Sequence, residues 1–192
     1  SSGNGASSCS ECPAGYVCTS DGRQEPCSSG KYSSGSSECL DCEEGHRCPG
    51  ATDKIPCPAA TYQESRGQRN CNVCTAGKYQ PDEGEASCLE CPSGHFCPRA
   101  SATPMTCGSV ALFCPPGSSG VTPVSPGYYT TPASDEKTAT RSAQKMCEVG
   151  YACVGGNREF CGAEGQYADD TGLSSCKVAT AGHKASVDRS GA

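Results

Sequence analysis

Residues 91–97, CPSGHFC, show most plainly the short loop around which the rest of the chain is built. Near-copies with Gly in the fourth place and Tyr or His in the fifth occupy residues 12–18, 42–48 and 147–153. A further copy at residues 179–185 keeps the Gly-His pair but has alanine at both cysteine positions. Because an unpaired thiol is reactive in an oxidising medium, the loss of both cysteines together indicates that the two are bonded to each other.

A longer loop of the form C-x2-3-G-x-Y, with small variations, also recurs. It occupies residues 27–39, 57–71, 74–88 and 161–176. Residues 124–129, VSPGYY, keep the Gly-x-Tyr pair but have Val124 where the cysteine would stand. The residues about 13 positions further on, 135–138, also contain no cysteine. Here too both members of the expected pair are absent.

The two loops together give a hypothesis for the disulfide bonds, which spacing alone does not normally determine. The predicted bonds are Cys12–Cys18, Cys27–Cys39, Cys42–Cys48, Cys57–Cys71, Cys74–Cys88, Cys91–Cys97, Cys147–Cys153 and Cys161–Cys176, with Cys107–Cys114 as a variant short loop. Cys9 is left over from the 19 cysteines, and we expect its partner upstream of residue 1. Crossed bonds, such as one from Cys12 to Cys27, would contradict the hypothesis.

The composition predicts an extracellular protein held together by disulfides. Cysteine makes up 19 of 192 residues, whereas Trp is absent and Phe occurs three times. Such a chain cannot bury a core large enough to offset its ordering entropy, so covalent cross-links have to stabilise it. The cytosol would keep these cysteines reduced, which places the protein outside the cell or at its surface. The apolar runs are too short to cross a membrane, so we expect any signal or anchor outside this segment.

The spacing of the cysteines divides the chain into four parts. Residues 1–8 are a lead-in from an upstream repeat, and residues 9–107 are tandem cysteine-rich repeats of about 30 residues each. Residues 108–146 are cysteine-poor and rich in Pro, Ser and Thr, and residues 147–192 hold a further repeat that runs into a truncated one. The third part has the composition of a linker, but its Val and Tyr residues favour extended strands that lie against neighbouring repeats.

The predicted fold class is one of small disulfide-rich repeats with short β-hairpins and little or no helix. Gly, Pro and Ser interrupt every loop, which leaves room only for strands of about two to five residues. The tyrosines of the longer loops are expected to lie over the disulfides as small local cores: Tyr32, Tyr62, Tyr79 and Tyr167. Because every predicted bond is local, each repeat should contact mainly its neighbours, as in an elongated rod or solenoid.

These motifs resemble the ephrin-receptor-like cysteine-rich repeat, which is itself similar to the repeat of the tumour necrosis factor receptor. The resemblance covers residues 9–107 and 147–176, through CPxGxxC and through C-x2-C flanking a Gly-x-Tyr loop. Arrays of this kind recur in large surface proteins of algae and other protists. The resemblance implies an extracellular structural or adhesive role and supplies no catalytic residues. Residues 108–146 and the alanines at 179 and 185 depart from the pattern.

Metal binding is the main alternative reading of the cysteines. Cys71, Cys74, Cys88 and Cys91 form C-x2-C-x13-C-x2-C, a spacing that could hold zinc. The paired losses of cysteine occur across the loops and not within C-x2-C, which favours disulfides and no cofactor. His46 and His95 stand where sister loops have Tyr16 and Tyr151, so we interpret them as packing rings and not as ligands or bases.

Modification is a stronger prospect than catalysis. The cysteines leave no spare nucleophile except Cys9, and the acidic pairs at residues 135–136 and 169–170 lack the ligand spacing of a calcium loop. We therefore expect no enzymatic activity. Four Ser/Thr-Pro sites match the composition of O-glycosylated segments: Thr103, Thr122, Ser125 and Thr131. Ordinary loop composition explains the same residues equally well.

The leading functional hypothesis is a structural segment of a large extracellular filament, surface appendage or coat. Neighbouring copies would associate through exposed rings and through the Val- and Tyr-containing middle segment, and open heterologous contacts of this kind give fibres. Other extracellular proteins or glycans are further candidate partners. The net charge of −6 argues against nucleic acid. The alternative hypothesis is a receptor-like ectodomain that binds a protein ligand.

Overall fold

The computed structural model describes residues 12–132 and 139–180, and the regular elements in these residues are all β-strands. The chain divides into two compact units, Ser1–Cys74 with Gln80–Leu89, and Thr75–Tyr79 with Glu90–Ala192. The strands are β1 (Tyr16–Cys18), β2 (Gln24–Pro26), β3 (Lys31–Tyr32), β4 (Leu40–Asp41), β5 (His46–Arg47), β6 (Ile55–Pro56), β7 (Thr61–Tyr62), β8 (Asn72–Val73), β9 (Lys78–Tyr79), β10 (Leu89–Glu90), β11 (His95–Phe96), β12 (Met105–Thr106), β13 (Leu112–Phe113), β14 (Thr122–Pro123), β15 (Tyr128–Thr131), β16 (Ala143–Met146), β17 (Tyr151–Val154), β18 (Asn157–Phe160), β19 (Gln166–Tyr167) and β20 (Lys177–Val178).

Antiparallel hairpins of consecutive strands account for the sheets within each unit. In the first unit the pairs are β1–β2, β3–β4, β5–β6 and β7–β8. In the second unit they are β11–β12, β13–β14, β15–β16, β17–β18 and β19–β20. The prediction of small disulfide-rich repeats with short hairpins is confirmed.

The short and the long cysteine loops are two versions of one structural module. We define a module as the residues from one start position to the residue before the next; the ten starts are Cys12, Cys27, Cys42, Cys57, Cys74, Cys91, Cys107, Val124, Cys147 and Cys161, and the tenth module ends at Val178. Each module contributes two strands. In a short loop the second cysteine lies at or near the end of the first strand, whereas in a long loop it comes just before the second strand.

A tight turn opens each module and sets the direction of its first strand. In the first module the Tyr16 amide donates to the Pro13 carbonyl over 3.2 Å, and Gly15 between them has φ 86°. A positive φ at the third position of such a turn favours glycine, although Ala60 adopts φ 67° at this place in the fourth module. Gly15 also accepts a hydrogen bond of 2.8 Å from the Cys27 amide, so the turn of one module holds the start of the next.

The cysteine-poor middle of the chain contains a module of the same kind. The Val124 amide donates to the Ala111 carbonyl over 2.9 Å. The amides of the cysteines that start other modules likewise donate to a carbonyl of the preceding module. β15 pairs with β16 in a register that places Tyr128 opposite Met146. Residues 133–138, where the missing second cysteine would have stood, lie outside the described residues. The predicted division at residues 8, 107 and 146 stays a prediction.

Disulfides and small clusters around them form the interior of each unit. Nine bonds are present among the described residues: Cys12–Cys18, Cys27–Cys39, Cys42–Cys48, Cys57–Cys71, Cys74–Cys88, Cys91–Cys97, Cys107–Cys114, Cys147–Cys153 and Cys161–Cys176. In the second unit Tyr129 packs on Cys147 and Cys153, with Tyr151 beside them. The tyrosines of the other long loops are half-buried. Cys9 lies outside the described residues.

Candidate interaction surface

Buried polar side chains brace the long loops from within. The seventh residue of a short loop is the second cysteine, and in several long loops the same place holds a buried polar residue: Ser33, Gln63, Gln80 and Thr130. Gln63 donates through Nε2 to the Asn70 carbonyl over 2.7 Å and accepts through Oε1 from the Ser65 amide over 3.1 Å. The side-chain amide of Gln63 therefore links residues on both sides of the loop, in addition to the disulfide that closes the loop at its ends.

Gln80 makes the same pair of bonds in the fifth module. Its Nε2 donates to the Ser87 carbonyl over 2.8 Å, and its Oε1 accepts from the Asp82 amide over 3.1 Å. Sequence reasoning missed this role. The signal was present, because a polar residue follows the Gly-x-Tyr pair in the long loops at Ser33, Gln80 and Thr130.

We expect Gln63→Leu to lower the free energy of unfolding by about 2 kcal/mol, because the Asn70 carbonyl and the Ser65 amide lose their partner inside the loop. Gln68→Leu is the matched control in the same loop, since Gln68 is exposed. Urea denaturation under non-reducing conditions measures both variants. An equal effect of the two substitutions would contradict the bracing role.

A charged and aromatic cluster lies on the second unit. The Glu148 carboxylate accepts hydrogen bonds from the Tyr129 hydroxyl over 3.1 Å and from the Arg158 guanidinium over 3.3 Å, and Lys145 Nζ lies 2.8 Å from it. The Arg158 guanidinium carbon lies 5.3 Å from the centre of the Tyr129 ring and 4.4 Å from that of Tyr151. These distances place the guanidinium close enough to both aromatic rings for a cation–π attraction.

The same contacts keep Glu148 ionised. The hydrogen bond from Lys145 is the largest cause that lowers the pKa of Glu148 from 4.5 to about 2, and the Tyr129 hydroxyl adds to it. The hydrogen bond that Lys145 donates to Glu148 is in turn the largest cause that raises the pKa of Lys145. The carboxylate is therefore charged in the folded protein at any pH outside the cell that is not strongly acidic.

We expect the contribution of Glu148 to stability to disappear in acid. Because its pKa is lower in the folded protein than in the unfolded chain, the contribution is complete above about pH 4.5 and is lost as the pH falls towards about 2. Glu148→Gln should therefore melt at a lower temperature than the native protein at about pH 7, and the difference should shrink steadily between about pH 5 and pH 2. Thermal melts across this range give the result; a difference that does not change with pH would rule out the ionised carboxylate as the cause.

Apolar side chains at the ends of second strands are exposed on the second unit. Phe160, the last residue of β18, is 61% exposed, and Val178, the last residue of β20, is 72% exposed. The Phe160 ring lies against Tyr151 in a tilted arrangement, with ring centres 5.3 Å apart. Val149 and Val154 are also exposed on the ninth module. In a protein with so few large apolar residues, these side chains make the ninth and tenth modules a candidate surface for interaction.

The cysteines of the zinc alternative belong to three different disulfides. Cys71 is bonded to Cys57, Cys74 to Cys88, and Cys91 to Cys97. Within residues 12–132 and 139–180, no three or more His, Cys, Asp or Glu side chains come together as metal ligands would. Of the acidic pair at residues 169–170, Asp169 forms an ion pair with Lys177.

The two histidines of the short loops hold the turns that precede their strands. His46 Nδ1 donates to the Glu44 carbonyl over 3.0 Å, and His95 Nδ1 donates to the Ser93 carbonyl over 3.1 Å. Both rings are half-buried. This placement gives each ring a structural role. His183, in the cysteine-free copy, lies outside the described residues.

The Ser/Thr-Pro sites differ in accessibility. Thr103 and Thr122 are exposed, whereas Ser125 and Thr131 are half-buried. The Ser125 hydroxyl also accepts a hydrogen bond of 3.2 Å from Gln144 Nε2. A sugar would therefore meet less obstruction at the first two sites.

We expect peptide mapping of the unreduced protein to recover nine local disulfides. The sequence hypothesis and the structure place the same cysteines together, and a bond within one module leaves its two peptides joined after digestion. Mass spectrometry before and after reduction identifies each pair. A peptide that joined two modules, such as one containing Cys12 and Cys27, would contradict the pairing.

The comparisons with known proteins support the repeat assignment. Residues 67–106 match the family model described as tyrosine-protein kinase ephrin type A/B receptor-like. Comparison with curated proteins found no significant match. In the described part of the chain, no helix has the length and apolar character needed to cross a membrane. Repeats of this type are non-catalytic, and the match together with the disulfides indicates an extracellular receptor-like or structural role. The match and the disulfides thus support an array of cysteine-rich, ephrin-receptor-like repeats.

Proposed function

We propose that this chain is a structural segment of a large extracellular filament, surface appendage or coat, which assembles through contacts between repeats. The observation that carries the proposal is that modules dock on one another through backbone atoms. The Gly45 amide donates to the Gln63 carbonyl over 2.7 Å, and the Cys57 amide donates to the Gly45 carbonyl over 2.8 Å. Contacts made by the backbone need no particular side chain, so any module of the same shape can supply them.

The eighth module supports this reading, because it keeps its place without a disulfide. The Cys147 amide donates to the Gly127 carbonyl over 2.9 Å, and the Thr130 amide donates to the Gly156 carbonyl over 3.1 Å. The Thr130 hydroxyl is buried and donates to the Val110 carbonyl over 2.6 Å. Contacts with other modules thus order a module that has no covalent cross-link of its own.

Electron microscopy and light scattering of the purified chain test the proposal. We expect elongated assemblies whose average mass rises with protein concentration. Dispersed monomers at every concentration would contradict the filament function. Because cysteine-rich arrays are stable only when oxidised, the protein has to be prepared without reductant.

The second candidate function is a receptor-like ectodomain that binds a protein ligand. The matched family is described as receptor-like. The charged and aromatic cluster around Arg158 and the exposed Phe160 also offer arginine and aromatic side chains, which contribute most to binding at protein interfaces. Capture of a different protein from the native extracellular material, by a chain that stays monomeric, would favour this function over the filament.

We also propose O-linked sugar at Thr103 and Thr122, the two accessible sites of the four Ser/Thr-Pro sites. Intact-mass measurement of the native protein should show hexose or pentose increments. Their absence would remove the proposal, and increments that map to Ser125 or Thr131 would contradict the choice of sites.

A further inference from the structure

The eighth module has a glutamine at the place where other long loops have their second cysteine. In the second module that cysteine, Cys39, comes directly before the strand residue that pairs with Tyr32. In the eighth module the residue directly before the partner of Tyr129 is Gln144. The loop spacing alone pointed to residues 135–138, whereas the register of the strands assigns the cysteine position to Gln144.

The side chain of Gln144 bonds back to the start of its module. Its Oε1 accepts a hydrogen bond of 2.8 Å from the Ser125 amide, and its Nε2 donates to the Ser125 hydroxyl over 3.2 Å. Ser125 follows Val124, which has the place of the first cysteine. We call this pair of bonds the glutamine clasp. The clasp joins the two places that a disulfide joins in other long loops, but it contains no covalent bond.

The clasp lies at the end of the hairpin that tension along the chain would reach first. The chain enters β15 at Tyr128 and leaves β16 at Met146, and these two residues form the last pair at this end. Pulling therefore loads the hairpin at its open end, so that its bonds break one pair after another. In the second module the bond between Cys27 and Cys39 carries the tension, and the loop that it closes stays unloaded.

Disulfides limit how far the other described modules can lengthen. Outside residues 115–146, no stretch between two of the nine bonds is longer than the nine residues 98–106. The eighth module, residues 124–146, comprises 23 residues with no disulfide among them. At about 3.4 Å per residue these 23 residues span about 80 Å when extended, against about 30 Å for residues 98–106.

The neighbouring modules keep the contacts that the eighth module needs to close again. Tyr129 packs on Cys147 and Cys153, which are bonded to each other in the ninth module. The Thr130 hydroxyl donates to the Val110 carbonyl over 2.6 Å, within the loop that a disulfide closes in the seventh module. Opening of the eighth module therefore breaks no covalent bond and leaves both partners folded, so the contacts can form again.

We propose that the eighth module is an extensible element of the array. It opens under tension, lengthens the chain by up to about 80 Å and closes again with every disulfide intact. The proposal rests on the filament function for its role, because an assembled chain is held at both ends and carries tension. It adds a reserve of length to that function, at one place in the chain.

Single-molecule pulling of the full chain by handles at its two ends, without reductant, tests the proposal. We expect the native chain to show a reversible step of about 60–80 Å, at least twice as long as a step from any other described module. Val124→Cys with Gln144→Cys should form a disulfide, which mass spectrometry verifies, and should lose this step. Val124→Ser with Gln144→Ser is the matched control, because it changes the same residues without a bond and should keep the step.

Gln144→Leu tests the clasp itself. The variant loses both hydrogen bonds to Ser125, so the eighth module should open at least about fivefold faster at a given force, with no change in the length of the step. Gln68→Leu makes the same substitution in the fourth module and should leave the opening rate unchanged.

Three results would overturn the proposal. A native chain without a reversible step longer than about 60 Å would show that the module stays closed under tension. A step that persists after the new disulfide has formed would belong to other residues. Equal opening rates of the native chain and Gln144→Leu would mean that the clasp does not hold the module. Pulling uses one chain at a time, so a failure to assemble in microscopy and light scattering would remove the filament function alone.

Discussion

Replacing Gly45 by alanine should lower the free energy of unfolding of the first unit by about 3 kcal/mol or more, one of the two largest effects expected for this protein. Gly45 has φ 74°, which costs any other residue about 1–2 kcal/mol. The new Cβ would also overlap the carbonyl carbon and oxygen of Gly84, and backbone atoms cannot move aside as the end of a flexible side chain can. The loop of the fifth module would have to shift away from the third.

Gly22→Ala is the control for the backbone cost alone. Gly22 has φ 83°, and a Cβ there meets nothing within 4 Å. We expect this variant to lose only about 1–2 kcal/mol. Denaturation of both variants without reductant measures the difference, which is the cost of separating two docked modules. Equal losses for Gly22→Ala and Gly45→Ala would mean that the contact between the glycines contributes nothing.

Complete reduction should unfold the chain at room temperature, which is the second large effect. A short loop of seven residues, such as that between Cys42 and Cys48, contributes about 2 kcal/mol by restricting the unfolded chain, and the longer loops contribute about 3 kcal/mol each. Summed over nine bonds, this exceeds the net stability of a typical domain of this size. The apolar clusters are too small to compensate.

Circular dichroism and sedimentation with a thiol reductant and, separately, with a chelator distinguish disulfides from a metal as the source of stability. The reductant should abolish the folded signal, and the chelator should leave it unchanged. The opposite outcome, unfolding by the chelator in a protein that resists reductant, would contradict the disulfide scaffold and would restore the zinc reading of Cys71, Cys74, Cys88 and Cys91.

The bonds within modules were accessible to sequence reasoning because they are local. Cys91 and Cys97 are six residues apart, and the turn between them contains Gly94 with φ 77°. The paired alanines at 179 and 185 gave independent support, since two cysteines that are absent together indicate a bonded pair. The length of a strand or helix also depends on nearby residues. The frequency of Gly, Pro and Ser could therefore predict that the described part of the chain has no long strands or helices.

The interpretation of residues 108–146 needed the structure for its detail. The Gly-x-Tyr pair at residues 127–129 predicted a long loop without cysteine, but only the structure shows that Thr130 is buried and bonded to the Val110 carbonyl. The role of Gln63 and Gln80 was missed for a related reason. A glutamine between polar loop residues looks exposed in the sequence, and its burial depends on how the loop closes over it.

The sequence by itself determined the module, its disulfide and its turn, because these depend on residues fewer than about 16 positions apart, within reach of one loop closure. Only the tertiary structure decided which modules touch. The contact between Gly45 and Gly84 spans two modules and is made by backbone atoms, which every residue has and no motif records. For the same reason the exposed position of Phe160 and Val178 follows from the arrangement of the modules and not from their composition.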